Sequence, residues 1–451
     1  MSLWTSKDIA LATGGASARD FSVEGLSIDT RTLKKNDLFV ALKSERDGHD
    51  FIPKAIEAGA AGVLAEKQIE DANTVIVPDT QKALEALGAA GRDRSKALRI
   101  AVTGSVGKTS IKEALATIFA QFGETHKSQK SFNNHLGAPI TLATLPVEAE
   151  FGIFELGMNH AGEISALSKQ VKPDIALISN VVSVHLAHFE SEKDIAQAKA
   201  EIIDGLSFDG TLILNGDNPH TPFIKSLADG RSVLTFGEAK DCDVQIVKTE
   251  AHAAGGTATL KVAGEEIDVI LSVPGQHWFH NAAACLAVAK AAGLDLTKAA
   301  KAMGQIAPAE GRGDSHALTL GGKSFTLIDE SYNANPTSMR AAFAATSLRP
   351  GRKIAVLGDM GELGPKELEF HAALAEPLEN TGFDRVILKG ECMRVLRGAL
   401  PRMMRGAWTD SAEDVLSALK DEIKDGDIVL IKGSNAAGLG ALVKKLKEGA
   451  H

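Results

Sequence analysis

The sequence predicts an α/β protein of three domains, a small α/β unit followed by two larger, mostly parallel sheets. Short β-branched runs alternate with longer amphipathic stretches along the chain, as strands joined by helical crossovers do. The 451 residues amount to about three domains of ordinary size. The 43 glycines exceed the usual share of about 7 %, as many tight turns between strands and helices require.

The first unit, residues 1–82, carries Asp37-Leu-Phe-Val-Ala-Leu42, a helical stretch over 51–60, and short runs at 62–65 and 74–77. It is too small for an open doubly wound sheet. Pro78-Asp-Thr80 opens a connecting helix over 81–94. The second unit, 83–311, begins with a strand at 98–102 and continues with runs at 151–154, 174–178, 210–214 and 232–236. Helical stretches separate most of these, so the sheet is largely parallel, a P-loop-type arrangement. Residues 257–273 alternate about Gly264-Glu-Glu266, as an antiparallel hairpin does, and an Ala-rich helix covers 281–292. The pattern breaks at Pro308-Ala-Glu-Gly-Arg-Gly313, a boundary and a hinge. The third unit, 312–451, places strands at 325–328, 353–357, 385–388 and 427–431 with helices between, a second doubly wound, Rossmann-like domain.

Composition narrows the function. Lys and Arg number 49 against 58 Asp and Glu, a net charge of −9, which opposes generic binding to nucleic-acid phosphates or anionic lipid. Hydrophobic residues at 44 % exclude wholesale disorder. Cys242, Cys285 and Cys392 lie far apart without zinc-ligand or redox spacing, and read as buried thiols of a reducing compartment. The opening MSLWTSKDIALATGG lacks the basic start and long apolar run of a signal peptide. No stretch approaches the ~18 consecutive apolar residues of a membrane span. A cytoplasmic monomer is the expectation.

The strongest chemical signal is Thr103-Gly-Ser-Val-Gly-Lys-Thr109, followed by Ser110, between a β-branched strand and an amphipathic helix. That helix puts Ile111, Leu115, Ile118, Phe119 and Phe122 on one face and stops at Gly123. Glycines in such a turn let backbone N–H groups approach phosphate oxygens, and the helix N-terminus favours the anion. Lys108 would reach the β- and γ-phosphates of a nucleoside triphosphate, and the Thr109 hydroxyl would hold Mg²⁺. Val102 stands where the longer phosphate-loop pattern has its first glycine.

Three weaker features lie nearby. Glu155 closes the strand at 151–154, at the carboxyl end where parallel sheets collect ligands; a surface glutamate would look the same. Ser179-Asn-Val-Val-Ser-Val-His-Leu-Ala-His-Phe189 puts His185 and His188 in a loop beyond another strand. Lys199 falls in the apolar stripe Ile195, Ile202, Leu206 of a helix over 192–206, either snorkelling to solvent or placed inside a site.

With these motifs in this order, the chain resembles the Mur ligases, ATP-dependent amino-acid and peptide ligases of bacterial cell-wall precursor synthesis. The resemblance covers nearly the whole chain. It implies that Thr103, Gly104, Ser105, Val106, Gly107, Lys108, Thr109 and Ser110 bind ATP together with Asn281, Arg312 and Asp329. It implies two magnesium ions, held by Thr109, Glu155, His185 and a carbamylated Lys199, with Lys108, Lys199 and His185 as the catalytic residues. Within the family, the likeness is greatest to members that add D-alanyl-D-alanine to a UDP-N-acetylmuramoyl-tripeptide. Ser27-Ile-Asp-Thr-Arg31 resembles part of a UDP-recognising N-terminal domain, and Phe132-Asn-Asn-His-Leu-Gly-Ala-Pro139 a substrate loop. Ser331-Tyr-Asn-Ala-Asn-Pro336 with Leu357-Gly-Asp-Met-Gly-Glu-Leu-Gly364 is the most specific pair. The implied substrate contacts are Ser27, Asp29, Arg31, His49, Asn134, Asn333 and Asn335. Glu330, Asn435 and Trp278 depart from the residues common in the family. A sister ligase that adds a diamino acid or Lys, and an ATPase switch acting on a partner, are the alternatives.

Overall fold

The computed structural model describes residues 2–129, 132–183 and 187–449. Its three main sheets have five, nine and six strands.

In the first sheet, Gly25–Ser27, Asp37–Val40, Gly62–Ala65 and Thr74–Ile76 run parallel, and Ala16–Ser17 pairs antiparallel at the edge. Alternate strand residues point to opposite faces. Leu38, Val40 and Leu64 therefore meet the helices Ser6–Thr13 and Thr80–Arg94, while Phe39, Ala41 and Val63 meet Ile52 and Ala55. Small as it is, this sheet is covered on both faces, more wound than its length suggested. The helix expected over 51–60 is the shorter Ile52–Glu57, preceded by a 3₁₀ turn. Asp79 caps Thr80–Arg94 by accepting from the Gln81 and Lys82 amides.

In the second sheet, seven parallel strands are followed by an antiparallel pair. The order across it is Thr125–Lys127, Phe151–Glu155, Leu98–Thr103, Ile175–Ile178, Thr211–Asn215, Ser232–Gly237 and Val244–His252, and then Gly255–Val262 and Glu265–Leu271. The strands Thr125–Lys127 and Val244–His252 were not visible in the sequence pattern. The helices Lys108–Phe119 and His277–Ala291 pack on one face and Glu163–Val171 and Glu192–Ala200 on the other. The helix expected over 192–206 ends at Ala200 and tightens into the 3₁₀ turn Glu201–Gly205. Two contacts enforce this. The Glu201 carboxylate accepts from the Gly162 and Ser165 amides, and a Cβ at Gly205 would come within 2.0 Å of Ser168 O.

The third sheet has five parallel strands in the order Lys323–Glu330, Asp427–Lys432, Lys353–Gly358, Arg385–Lys389, Arg405–Thr409, with Asp314–Leu320 antiparallel at its edge. Among the described residues, no helix is long and apolar enough to cross a membrane.

Candidate active site

Strand order reverses around Leu98–Thr103, whose neighbours are Phe151–Glu155 and Ile175–Ile178. Ligands gather beyond the carboxyl ends of strands at such a point. The chain leaves this strand through Gly104 to Gly107 and enters the helix Lys108–Phe119. Gly107 has φ +86°, and a Cβ on Gly104 would sit 1.9 Å from Ser179 Oγ, so neither position accepts a side chain. The loop is pinned to the next strand's end. Ser105 N donates to Asn180 O at 2.8 Å and Ser179 Oγ to Val106 O at 2.6 Å. The first amides of the helix have no intrahelical acceptor and open onto a cavity of about 770 Å³. Lys108 Nζ donates to Gly104 O at 2.7 Å. Burial lowers its pKa; the Glu155 charge opposes this and Arg312 adds to it.

Glu155 is 1 % exposed. Its Oε1 accepts from Thr109 Oγ1 at 3.1 Å and from Asn133 Nδ2 at 3.1 Å. Its Oε2 is buried without a hydrogen bond, 3.7 Å from the Nζ of the fully buried Lys112. A hydroxyl and a carboxylate oxygen side by side, one carboxylate oxygen still unsatisfied, fit a hard oxygen-seeking ion such as Mg²⁺.

Lys199 is 1 % exposed and does not line the cavity. Among the described residues its ammonium has no hydrogen-bond or carboxylate partner. Burial first, then the Lys108 charge, holds its pKa well below the usual lysine value. His185 lies outside the described residues. Thr103 is buried beneath the loop, with its hydroxyl unpartnered.

The third sheet supplies the opposite wall. Glu330 and Lys432 end neighbouring strands in register. Lys432 Nζ, on a side chain 2 % exposed, donates to Glu330 Oε2 and to Asn333 O, both at 3.0 Å. Arg312 stacks over Tyr332 at 4.2 Å between Gly311 and Gly313, both at positive φ. Asn281, on the helix His277–Ala291, faces Gly107 and keeps a buried, unpartnered Nδ2. Asn333 lines the cavity and accepts from the Ala334 amide, and Asn335 caps the helix Pro336–Ser347 by accepting from Ser338 N at 2.8 Å.

Several expected residues lie elsewhere. Asp329 does not line the cavity. Its Oδ1 accepts from Ser331 Oγ at 2.6 Å and its Oδ2 from Lys447 Nζ at 2.9 Å. Consecutive strand residues point to opposite faces, so only one of Asp329 and Glu330 can face the cavity, and it is Glu330. Asn134 is exposed, and its Oδ1 accepts from the Leu136 and Gly137 amides at 3.1 and 3.0 Å; its neighbour Asn133 reaches the site instead. Ser27, Asp29, Arg31 and His49 belong to the first sheet's loops and strands, away from the cavity. Arg31 Nη2 donates to Asp29 Oδ2 at 2.6 Å, and Ser27 Oγ to Asp29 O at 2.9 Å. His49 Nε2 accepts from Glu66 N at 3.1 Å and its Nδ1 pairs with Asp47 at 2.6 Å, so both ring nitrogens are committed within the domain. Sequence reasoning missed Asn133, Lys112 and Lys432. For Lys432 a signal existed, a lysine at the carboxyl end of a parallel strand.

A second cluster, Asp359, His371 and Cys392, has metal-ligating side chains. It is a structural knot, because His371 Nε2 accepts from Met360 N at 2.9 Å and its Nδ1 lies 2.7 Å from Glu367 O.

Residues 22–122 match the Mur ligase family catalytic domain, 102–289 the Mur ligase middle domain and 318–435 the Mur ligase glutamate ligase domain. The UDP-N-acetylmuramoyl-tripeptide–D-alanyl-D-alanine ligase of Rickettsia prowazekii is 32 % identical over 98 % of this chain and 99 % of its own. The Escherichia coli protein of that name is 34 % identical over 97 % of each. A solved Acinetobacter baumannii ligase of this type superposes with a TM-score of 0.86 at 30 % identity, covering 99 % of this chain and 98 % of that one. The MurF ligase of Thermotoga maritima, solved in complex with ADP, gives 0.77 at 26 % identity over 94 % of this chain and 97 % of that one. The chain belongs to the Mur ligase family.

Proposed function

We propose that the protein joins D-alanyl-D-alanine to UDP-N-acetylmuramoyl-tripeptide, converting ATP to ADP and phosphate and yielding the pentapeptide precursor of peptidoglycan. The observation that carries this reading is a phosphate loop facing a buried lysine paired to a glutamate across one cavity, in a chain matching the D-alanyl-D-alanine-adding ligases almost end to end.

Amide formation from a carboxylate in water is uphill, so ATP first activates the carboxylate as an acyl-phosphate. The amine then attacks the carbonyl, and phosphate leaves through a tetrahedral intermediate. Every species on this path is anionic, and the residues answer with fixed positive groups. The helix N-terminus and Lys108 receive the β- and γ-phosphates, and Arg312 neutralises charge at the hinge. Mg²⁺ held by Thr109 and Glu155 supplies charge neutralisation and orientation of phosphate oxygens when bound. Asn281 turns its unpartnered amide toward the nucleotide. Glu330 and Lys432 close the cavity from the third sheet and exclude water, which would hydrolyse the acyl-phosphate. Ser27, Asp29, Arg31 and His49 form the UDP end, with the Asp29–Arg31 pair opening to the diphosphate; Asn134, Asn333 and Asn335 lie along the acceptor.

Domains 1–82, 83–311 and 312–451 divide these tasks into acceptor binding, nucleotide binding and closure. ATP and a UDP-linked substrate suit the cytoplasm. Lys199 works as a carbamate. Its burial, the absence of a hydrogen-bond or carboxylate partner among the described residues and the Lys108 charge all favour a neutral amine, which can add CO₂ and release a proton to give a carbamate whose oxygens, with His185, would hold a second Mg²⁺.

The test is incubation with ATP, Mg²⁺ and UDP-N-acetylmuramoyl-tripeptide, with and without D-alanyl-D-alanine, following phosphate release and product mass. Ligation predicts dipeptide-dependent phosphate and a pentapeptide mass. Equal phosphate without the dipeptide would leave an ATPase, and product with a diamino acid and the shorter UDP-muramoyl-dipeptide would mark a sister ligase.

A further inference from the structure

Asn133 stands where two parts of the site meet. Its main-chain oxygen accepts from Gly157 N at 2.7 Å, and its Nδ2 donates to Glu155 Oε1 at 3.1 Å. One residue thus grips the strand end that carries the carboxylate in two places. The turn behind it is braced. Asn134 Oδ1 accepts from Leu136 and Gly137, and a Cβ on Gly137 would lie 2.4 Å from the Phe132 carbonyl carbon, so residues 132–137 fold back on themselves tightly. A braced turn transmits displacement instead of absorbing it. Asn133 thereby ties the 132–137 turn to the Glu155 oxygen that Thr109 also contacts.

We propose that Asn133 is a positioning residue that couples occupancy of the acceptor loop to occupancy of the magnesium–nucleotide site, through its hydrogen bond to Glu155. The inference rests on the proposed function for the identity of the acceptor. Coupling of this kind is reciprocal: whatever the acceptor does to nucleotide affinity, the nucleotide does to acceptor affinity.

The experiment is calorimetric titration of ADP into the full chain, with and without saturating UDP-N-acetylmuramoyl-tripeptide, in Mg²⁺ and again in EDTA. In the wild type, the acceptor should change the ADP Kd about fivefold or more in Mg²⁺ and little in EDTA, because the route runs through the metal carboxylate. In Asn133→Ala the factor in Mg²⁺ should fall to near one. Gly157→Ala provides an independent second variant, since its Cβ would meet Asn133 Cγ and Nδ2 at 2.8 Å and push the amide off Glu155. It should lose the coupling too, and it decides the matter if Asn133→Ala does not fold. A wild-type factor retained in the folded variants, or one equal in Mg²⁺ and EDTA, overturns the proposal. An acceptor that fails to bind the wild type overturns the functional reading as well, whereas an acceptor that binds without coupling overturns only this inference.

Discussion

Lys199→Met should make the protein more stable and nearly inactive. The side chain is 1 % exposed, with no hydrogen-bond or carboxylate partner among the described residues, and the Lys108 charge disfavours a second cation. A lysine in water titrates near 10.4, and each pH unit below that at which the amine is held neutral costs about 1.4 kcal/mol. The further the folded pKa lies below that value, the larger the cost of keeping the amine neutral, and methionine avoids this cost while keeping the apolar stem. The sign follows from proton counting. The folded pKa is lowered, so between it and ~10.4 the unfolded chain binds more protons, and wild-type stability rises with pH.

The assay is denaturant unfolding of wild type and variant between pH 7 and 9.5 in CO₂-depleted buffer, then with bicarbonate added. The wild type should gain up to about 1.4 kcal/mol per pH unit relative to Lys199→Met, narrowing the gap as pH rises. If the proposed carbamate forms, bicarbonate should stabilise the wild type alone, since the variant has no amine at position 199. Ligation by the variant should fall at least a hundredfold at either bicarbonate level. A variant less stable than the wild type, with no pH-dependent difference, would mean that Lys199 is a paired cation and would refute both the burial argument and the carbamate.

The phosphate loop was legible because strand, glycines, lysine, threonine and helix are contiguous, and local sterics force their geometry. The parallel sheets were legible from β-branched runs. Thr125–Lys127 and Val244–His252 were not: the first is three residues long, and the second alternates polar residues on an exposed face. The site's far wall was only half legible. The pair Asp329-Glu330 announces a carboxylate at a strand end, but which one faces the cavity depends on strand phase, fixed by pairing with Asp427–Lys432 nearly a hundred residues later. Asn133 and Asn134 pose the same problem in a loop, where no periodicity distinguishes neighbours. Arg31 and His49 came from the family resemblance, which does not say whether a side chain is already committed to Asp29, or to Asp47 and Glu66.

Lys108→Ala should cut kcat/KM at least a hundredfold while leaving the unfolding midpoint nearly unchanged, because the lysine's hydrogen bond among the described residues is to its own loop; near-normal turnover would move the ATP site elsewhere. Arg31→Ala should raise KM for the UDP substrate several-fold with KM for ATP unchanged, and the opposite split would remove the first domain from acceptor binding. Asp329→Asn and Glu330→Gln should differ in their effect on nucleotide use. Asp329 is 2 % exposed and bound to Lys447, whose side chain is 26 % exposed, so its loss should cost about 1–2 kcal/mol, below the 3–5 of a fully buried pair. Burial opposes the Lys447 ammonium, but Asp329 and Asp314 outweigh it and raise its pKa; the stability it contributes is complete below about 10.4 and is lost as pH rises through the raised value. Asp329→Asn should therefore lower the unfolding midpoint, with a smaller loss once the pH exceeds the raised Lys447 value, and leave KM for ATP within about twofold. Glu330→Gln leaves the Lys432 ammonium, on a side chain 2 % exposed, without its carboxylate at the cavity wall: kcat and KM for ATP should change by tenfold or more, and the unfolding midpoint should fall as well. If Asp329→Asn raises KM for ATP and Glu330→Gln does not, the strand phase is read wrongly and Asp329 belongs to the nucleotide site.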